Sequence, residues 1–286
     1  MNLLTVPDWI ARFNFPYKDF GDIPQSAFDK INSQLDSIQS EQPVVSILVS
    51  AYNEEINILK CVASLSETKS KFPLEIVVTN NNSNDRTQDT LDHLKVSSVF
   101  QGIQGWGPAR QKGLETAKGK YILLADADCI YPSTWVDEMI NVLSKPEVVC
   151  VYGRYSFLPE NGFPRWKLSL LEQLKNVIAE YRHLKRPYLN TYGISMGFIR
   201  EYALKIGFVM EKVRGEDGRM AFDLMKYGSI KQVRSTKAIV WTGPRTLERD
   251  GSFSKVLRNR IAKEFGRFFQ LMTAEKPHDT KKSGND

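Results

Sequence analysis

An α/β fold, a mostly parallel sheet sandwiched by helices with a smaller region attached, is predicted by two features of this sequence. Between residues 44 and 152, short apolar runs of strand length alternate with segments of helical periodicity. That alternation means crossover units and a parallel sheet covered on both faces. The runs are also nearly continuous in Val, Ile and Leu, as strands buried on both faces are.

Val44–Ala51 (VVSILVSA) reads as a buried strand, and Ile56–Leu65 as a helix with Ile56, Leu59, Val62 and Ala63 on one face. Leu74–Thr79 is a second strand, followed by the polar run NNNSND and a helix over Arg86–Leu94. Val96–Phe100 is a third strand. Pro108 suits the first turn of a helix that ends with Ala117 and Gly119. The strand Tyr121–Ala125, a helix over Thr134–Leu143 and a strand at Val148–Tyr152 complete the regular part.

The flanks are less periodic. In residues 1–42, Trp9, Ile10, Phe13, Phe15, Tyr17 and Phe20 are too apolar for a free tail, while Pro7, Pro16, Gly21 and Pro24 interrupt any long element. An arm packing on the main domain, with a short helix near Ser26–Ile38, is expected. After residue 152 come a long amphipathic helix (Trp166–His183) and the glycine-punctuated Thr191–Phe198. Gly215-Glu216 then introduces a helix over Asp217–Tyr227, before short strands at Ile230–Val233 and Ala238–Thr242. Ser254–Met272 reads as a helix with Phe253, Val256, Leu257, Ile261, Phe265, Phe268, Phe269 and Met272 on one broad face and Lys255, Arg258, Arg260, Lys263 and Arg267 on the other. It suits either closure of the core or a membrane surface. The expected organisation is an arm (1–42), a main domain (43–250), and a basic helix with a polar, disordered tail (251–286).

At 286 residues, 42% apolar and 25% charged, the chain has the composition of a soluble globular protein. No apolar run reaches the roughly 20 residues that span a bilayer, and the N-terminus lacks the pattern of a secretory signal. Cys61, Cys129 and Cys150 are odd in number and have no metal-type spacing, so reduced thiols in a cytoplasmic protein are expected. The net charge of +6 suits an anionic partner. Nucleic acid is set aside, because no reading helix or interleaved aromatic and basic strand accompanies the charge.

The chemistry-bearing residues sit where strands end. Tyr121–Ala125 delivers Asp126-Ala127-Asp128, and ligands of open α/β sheets bind at the carboxyl ends of strands. Paired hard oxygens there hold Mg²⁺ or Mn²⁺, which in turn grips phosphate; alternatively the tripeptide is turn chemistry. The first strand ends in Ser50-Ala51-Tyr52-Asn53-Glu54-Glu55, which reads as ligand contact or as a helix start with Asn53 as N-cap. Asn80 and Asn81 of the second loop suit a base edge or a turn. Neither loop is glycine-rich, which argues against a dinucleotide fingerprint and a P-loop. Glu216 and Asp217 complement a helix dipole, or Asp217 is a general base. Arg245, with Arg249 nearby, neutralises a departing phosphate or is simply solvated.

The ordered runs VSILVSAYNEE, EIVVTNNNSNDRT, GPARQKGLETAKGKYILLADADC and GFVMEKVRGEDGRMAFDLMKYG resemble family 2 of the glycosyltransferases, over roughly residues 43–245. The resemblance implies a GT-A fold and an inverting sugar transfer from a nucleotide-diphosphate sugar to a glycan or lipid-linked acceptor. It also implies a divalent cation held by Asp126 and Asp128, with Asp217 as catalytic base and Glu216 beside it. Ala51, Asn53 and Glu54 match the segment against base and ribose, and Arg110 matches a residue facing the nucleotide. Asn80 and Asn81 stand where the family usually carries acids. Gln232 is followed by VRST, so the processive signature is absent and one sugar per encounter is expected. The rival readings are a sugar-phosphate nucleotidyltransferase, disfavoured by the missing glycine-rich loop, and a non-catalytic nucleotide-sugar or glycan-binding module. The implied location is the cytoplasm, with the terminal helix as a peripheral membrane contact.

Overall fold

The structure is a computed structural model that describes residues 5–160, 162–211 and 213–245, together with 281–282; at 213, 214, 281 and 282 only the backbone is described. In chain order the elements are α1 (Gln25–Ile38), β1 (Val45–Ala51), α2 (Asn57–Ser66), β2 (Leu74–Asn80), α3 (Thr87–Asp92), β3 (Ser97–Phe100) and α4 (Trp106–Thr116). They continue with β4 (Tyr121–Asp126), β5 (Cys129–Ile130), α5 (Trp135–Leu143), β6 (Val148–Tyr152), β7 (Tyr155–Phe157), α6 (Arg165–Lys185) and β8 (Met196–Ile199). The last are α7 (Arg200–Ile206), β9 (Val213–Arg214), α8 (Glu216–Leu224), β10 (Ser229–Gln232), β11 (Val240–Thr242) and β12 (Lys281–Lys282), which pairs antiparallel with β9. The helix expected over Ser254–Met272, and Arg249, lie outside the described residues.

A seven-stranded sheet runs in the order β10-β6-β8-β4-β1-β2-β3. Alternate residues of its central strands feed two apolar layers. Val45, Ile47, Val49, Ile76, Val78, Leu123 and Ala125 point to the layer under α1, α2 and α5, while Leu48, Val77, Ile122 and Leu124 point to the layer under α4 and α8. Burial on both faces explains why these strands read as unbroken apolar runs. Ile10, Phe13, Phe28, Ile31 and Leu35 of the N-terminal region join the first of these layers, which is where its aromatics and aliphatics leave water.

The chain winds from β1 through β2 to β3 on one side and then places β4 on the other side of β1. The strand order therefore reverses between β1 and β4, the position at which open α/β sheets bind ligands. Parallel register puts Ser50 opposite Asp126 and Ala51 opposite Asn80, so the three loop starts lie side by side.

β8 runs antiparallel to both β4 and β6. The physical reason is where the preceding chain arrives. Met196 pairs with Leu124 and Ile199 with Tyr121, so β8 starts at the carboxyl end of β4 and runs back. A second small sheet, β5-β11-β7, aligns Thr242 with Cys129 and so brings the end of β11 beside Asp128. Ala238, expected within a strand, sits in a 3-10 turn, and β5, β7 and α7 are short elements that periodicity does not reveal. Among the described residues no helix is long and apolar enough to cross a membrane.

Candidate active site

The loops after β1 and β2 brace each other. Asn53 is not the N-cap of α2; that position is Ile56. Asn53 instead adopts a left-handed backbone (φ 53°), its amide N–H donates to Ser83 Oγ, and its Oδ1 accepts from the Asn84 amide. Asn tolerates that conformation better than most residues with a side chain. Ala51 is fully buried. Asn80 spends its amide inside the loop, donating to Gln88 Oε1 and accepting from the Ser83 amide, while Asn81 Oδ1 accepts from the Gly105 amide. Both asparagines are buried, and these bonds are turn chemistry.

Beside this pair of loops, Arg245 donates to Glu54 Oε1 at 2.8 Å and to Asp128 Oδ2 at 2.6 Å. Burial raises the Glu54 carboxyl above its ordinary range, and the Arg245 contact offsets part of that. Burial by itself would lower the Arg245 guanidinium, but Glu54 and Asp128 more than reverse the effect and hold it charged. Placing the arginine here is a tertiary event: the β11–β5 register carries residue 245 to the end of the β4 turn.

The second group is buried. Arg110, on α4 and 5% exposed, donates through Nη1 to both Glu216 Oε1 and Asp217 Oδ1, and its Nη2 lies 3.5 Å from Asp126 Oδ1. Burial alone would lower the guanidinium; Asp217, Glu216 and Asp126 raise it instead. Gly215, in left-handed geometry (φ 93°), starts α8 and turns both acids inward at its first turn, where the helix dipole favours negative charge. Asp217 Oδ2 accepts from the Gly193 amide at 2.7 Å. A Cβ on Gly193 would stand 1.9 Å from Arg110 Nη2, so only glycine lets that loop close on the pair. Burial pushes Asp217 up to about 6 against the pull of Arg110. Asp126 is likewise raised by burial, with Arg110 opposing, and 37% exposure of its side chain admits solvent screening.

Two aromatic residues hold the loop that carries Gly193, and no sequence motif pointed to either. Tyr131 Oη accepts from the Asp126 amide and donates to the Ile194 carbonyl, and Trp135 Nε1 donates to Ser195 Oγ at 3.0 Å. Their position just beyond the Asp126-Ala127-Asp128 turn was the only signal. Cys61, Cys129 and Cys150 are buried free thiols, and burial raises all three, so they are inert as nucleophiles.

Among the described residues no three His, Cys, Asp or Glu side chains form a closed metal cage. Asp128 with Asp126 nonetheless suits a hard divalent cation, because Mg²⁺-like ions are held by one or two carboxylates and complete their shell with phosphate and water. The cationic guanidinium of Arg245 against Asp128 marks the same preference for positive charge.

The sequence profile of the family described as "Glycosyl transferase family 2" matches residues 46–207, more than half of the chain. The chain belongs to glycosyl transferase family 2. The family stretch runs from β1 through α7 and so holds Glu54, Arg110, Asp126 and Asp128 but stops short of Asp217 and Arg245. Glycosyltransferase AglE of Haloferax volcanii is 31% identical over 131 residues, 43% of this chain and 43% of that protein. WfaP of Escherichia coli, a UDP-Glc:alpha-D-GlcNAc-diphosphoundecaprenol beta-1,3-glucosyltransferase, is 31% identical over 117 residues, 39% of this chain and 46% of that protein. The match thus spans less than half the length of either relative. The mannosyltransferase PcManGT of Pyrobaculum calidifontis, solved with GDP-Man and Mn²⁺, shares the fold with a TM-score of 0.54 at 18% identity, over 82% of this chain and 70% of that one. This family 2 chain thus has the GT-A architecture.

Proposed function

We propose that this family 2 chain is an inverting glycosyltransferase that moves one sugar from a nucleoside diphosphate donor to an acceptor hydroxyl. One observation carries the reading: Arg110 gathers Asp126, at the end of the central strand, together with Glu216 and Asp217 of α8. A metal-side carboxylate and a candidate base are thereby held by one guanidinium.

Asp217 takes the proton of the acceptor hydroxyl. Its two oxygens have about four acceptor sites, so the bonds from Arg110 and Gly193 orient the carboxylate and leave lone pairs for the acceptor. As the acceptor oxygen bonds to the anomeric carbon, the bond to the leaving phosphate oxygen breaks and its electron pair departs with the diphosphate. A single displacement inverts the anomeric centre. Arg245, on leaving Asp128 and Glu54, meets the diphosphate charge. A divalent cation held by Asp128 and Asp126 supplies the remaining charge neutralisation when bound. Asn53 and Glu54 shape the donor side, and Ala51, Asn80 and Asn81 support that side from within.

The acceptor we favour is a lipid-linked saccharide, the class on which the Escherichia coli relative acts, met at the cytoplasmic face of a membrane. Melting the chain with a panel of nucleoside diphosphates, with and without Mn²⁺, tests the donor side. At least one diphosphate is expected to raise the melting temperature more with Mn²⁺ than without, since a ligand of the folded state stabilises by mass action. No shift with any of them would overturn the reading.

A further inference from the structure

Helix α6 differs from an ordinary amphipathic helix in carrying large apolar residues on its outward side as well as its buried one. Its apolar stripe would normally face the core. Here the buried side is mixed: Leu168 and Leu171 pack with Phe157 and Phe163, while Arg165 and Glu172 form a buried pair at 2.8 Å, Lys175 lies 3.3 Å above the Tyr155 ring, and Arg182 is buried. The outward side carries Trp166 (58% exposed), Leu170 (52%), Val177 (68%), Tyr181 (42%) and Leu184 (79%). At about 100° per residue these five fall within an arc of roughly 60°. They form one straight ridge about 27 Å long, at 1.5 Å rise per residue.

We infer that this ridge docks the protein on an anionic phospholipid surface. Charge favours that partner: Lys167 and Lys185 border the ridge near its two ends, Arg186 follows, and the chain carries +6 overall. The acid on the ridge's other border, Glu180, is matched by Arg234 at 2.6 Å. Shape favours it as well. A ridge one helix wide enters the headgroup layer readily. The five exposed side chains by themselves offer less than the roughly 800 Å² per partner of a standard protein interface. Trp166 and Tyr181 are the residue types that settle at the headgroup level. The helix leads through the Pro187–Asn190 turn into the Gly193 loop that holds Asp217. Docking would therefore set the acceptor side of the site near the bilayer. The link to a lipid-linked acceptor rests on the proposed function; the docking itself does not.

The test uses the full chain and no activity assay, so its failure is separate from failure of the proposed reaction. The chain is sedimented with vesicles of phosphatidylcholine alone or containing about 30% phosphatidylglycerol. We expect binding to the anionic vesicles that weakens with salt. The triple variant Leu170→Glu, Val177→Glu, Leu184→Glu should bind about tenfold less or weaker, with melting temperature and oligomeric state unchanged. Brominated lipid should quench the native fluorescence more than that of Trp166→Phe. Four results would overturn the inference. The native chain ignores both vesicles; the triple variant binds as well as native, placing the contact elsewhere; its melting temperature collapses, meaning the chain's own segment covers the ridge; or a native dimer becomes a monomer, meaning a second copy does.

Discussion

Arg245 and Asp128 are joined by a 2.6 Å ion pair that ties the last strand of the small sheet to the end of β4. The same nitrogen reaches Glu54, so one guanidinium answers the charge of both the Asp128 and the Glu54 carboxylates.

On the proposed reading, a cation and the Arg245 guanidinium compete for Asp128. Removing the guanidinium with Arg245→Ala should raise Mn²⁺ affinity without donor by about threefold to tenfold, the factor by which a competing closed state lowers apparent affinity. Turnover should fall in the same variant, because the diphosphate loses a counter-charge. Calorimetric titration of Mn²⁺ reads the first effect; unchanged affinity would show that the contact does not restrain the carboxylate.

Arg110 is buried against three acids. Arg110→Met would leave Glu216 and Asp217 buried without their cation, at a cost of about 3–5 kcal/mol. Urea denaturation should show a correspondingly lower midpoint. A midpoint equal to the native one would mean that the acids take up protons or water at no cost.

Asp217→Asn keeps the shape of the side chain and removes its basicity. Transfer should drop by about 10²–10⁴-fold while nucleoside diphosphate affinity stays within about twofold, as for a group acting only in the chemical step. Near-native turnover would take Asp217 out of the mechanism.

The burial that raises Asp217 to about 6 has two consequences with opposite pH direction. As a base it must be ionised, so kcat/KM should rise with pH through about 6 and then level. For folding the sign reverses. The folded chain holds this proton more tightly than an unfolded chain, so the stabilisation is complete below the ordinary carboxylate range and is lost as pH rises through about 6. The ligand-free protein should therefore melt at a higher temperature at about pH 5 than at about pH 7.5. Scanning fluorimetry checks the second effect and a pH–rate profile the first. In Asp217→Asn the pH difference in melting should shrink.

Much of this was legible in one dimension because its causes are local. Val44–Ala51, Leu74–Thr79 and Tyr121–Ala125 announce buried strands by composition alone, and strand ends carry Glu54 and Asp126 wherever such strands lie in a parallel sheet. Pro108 lies in the first turn of α4, where its missing N–H costs nothing. Of the two readings open for Asn53 the helix start fails, because the loop uses its left-handed tolerance to bind the neighbouring loop rather than the following helix.

The sequence alone therefore determined the strand-and-helix alternation, the carboxylates at the β4 end and the family, since each depends on residues close together in the chain. Only the tertiary structure decided that Arg110 faces inward to Glu216 and Asp217, more than a hundred residues away, that Arg245 lands on Asp128, and that α6 leaves an apolar ridge outward. Those outcomes are set by how distant surfaces share burial and charge, a balance made between elements that no single stretch contains.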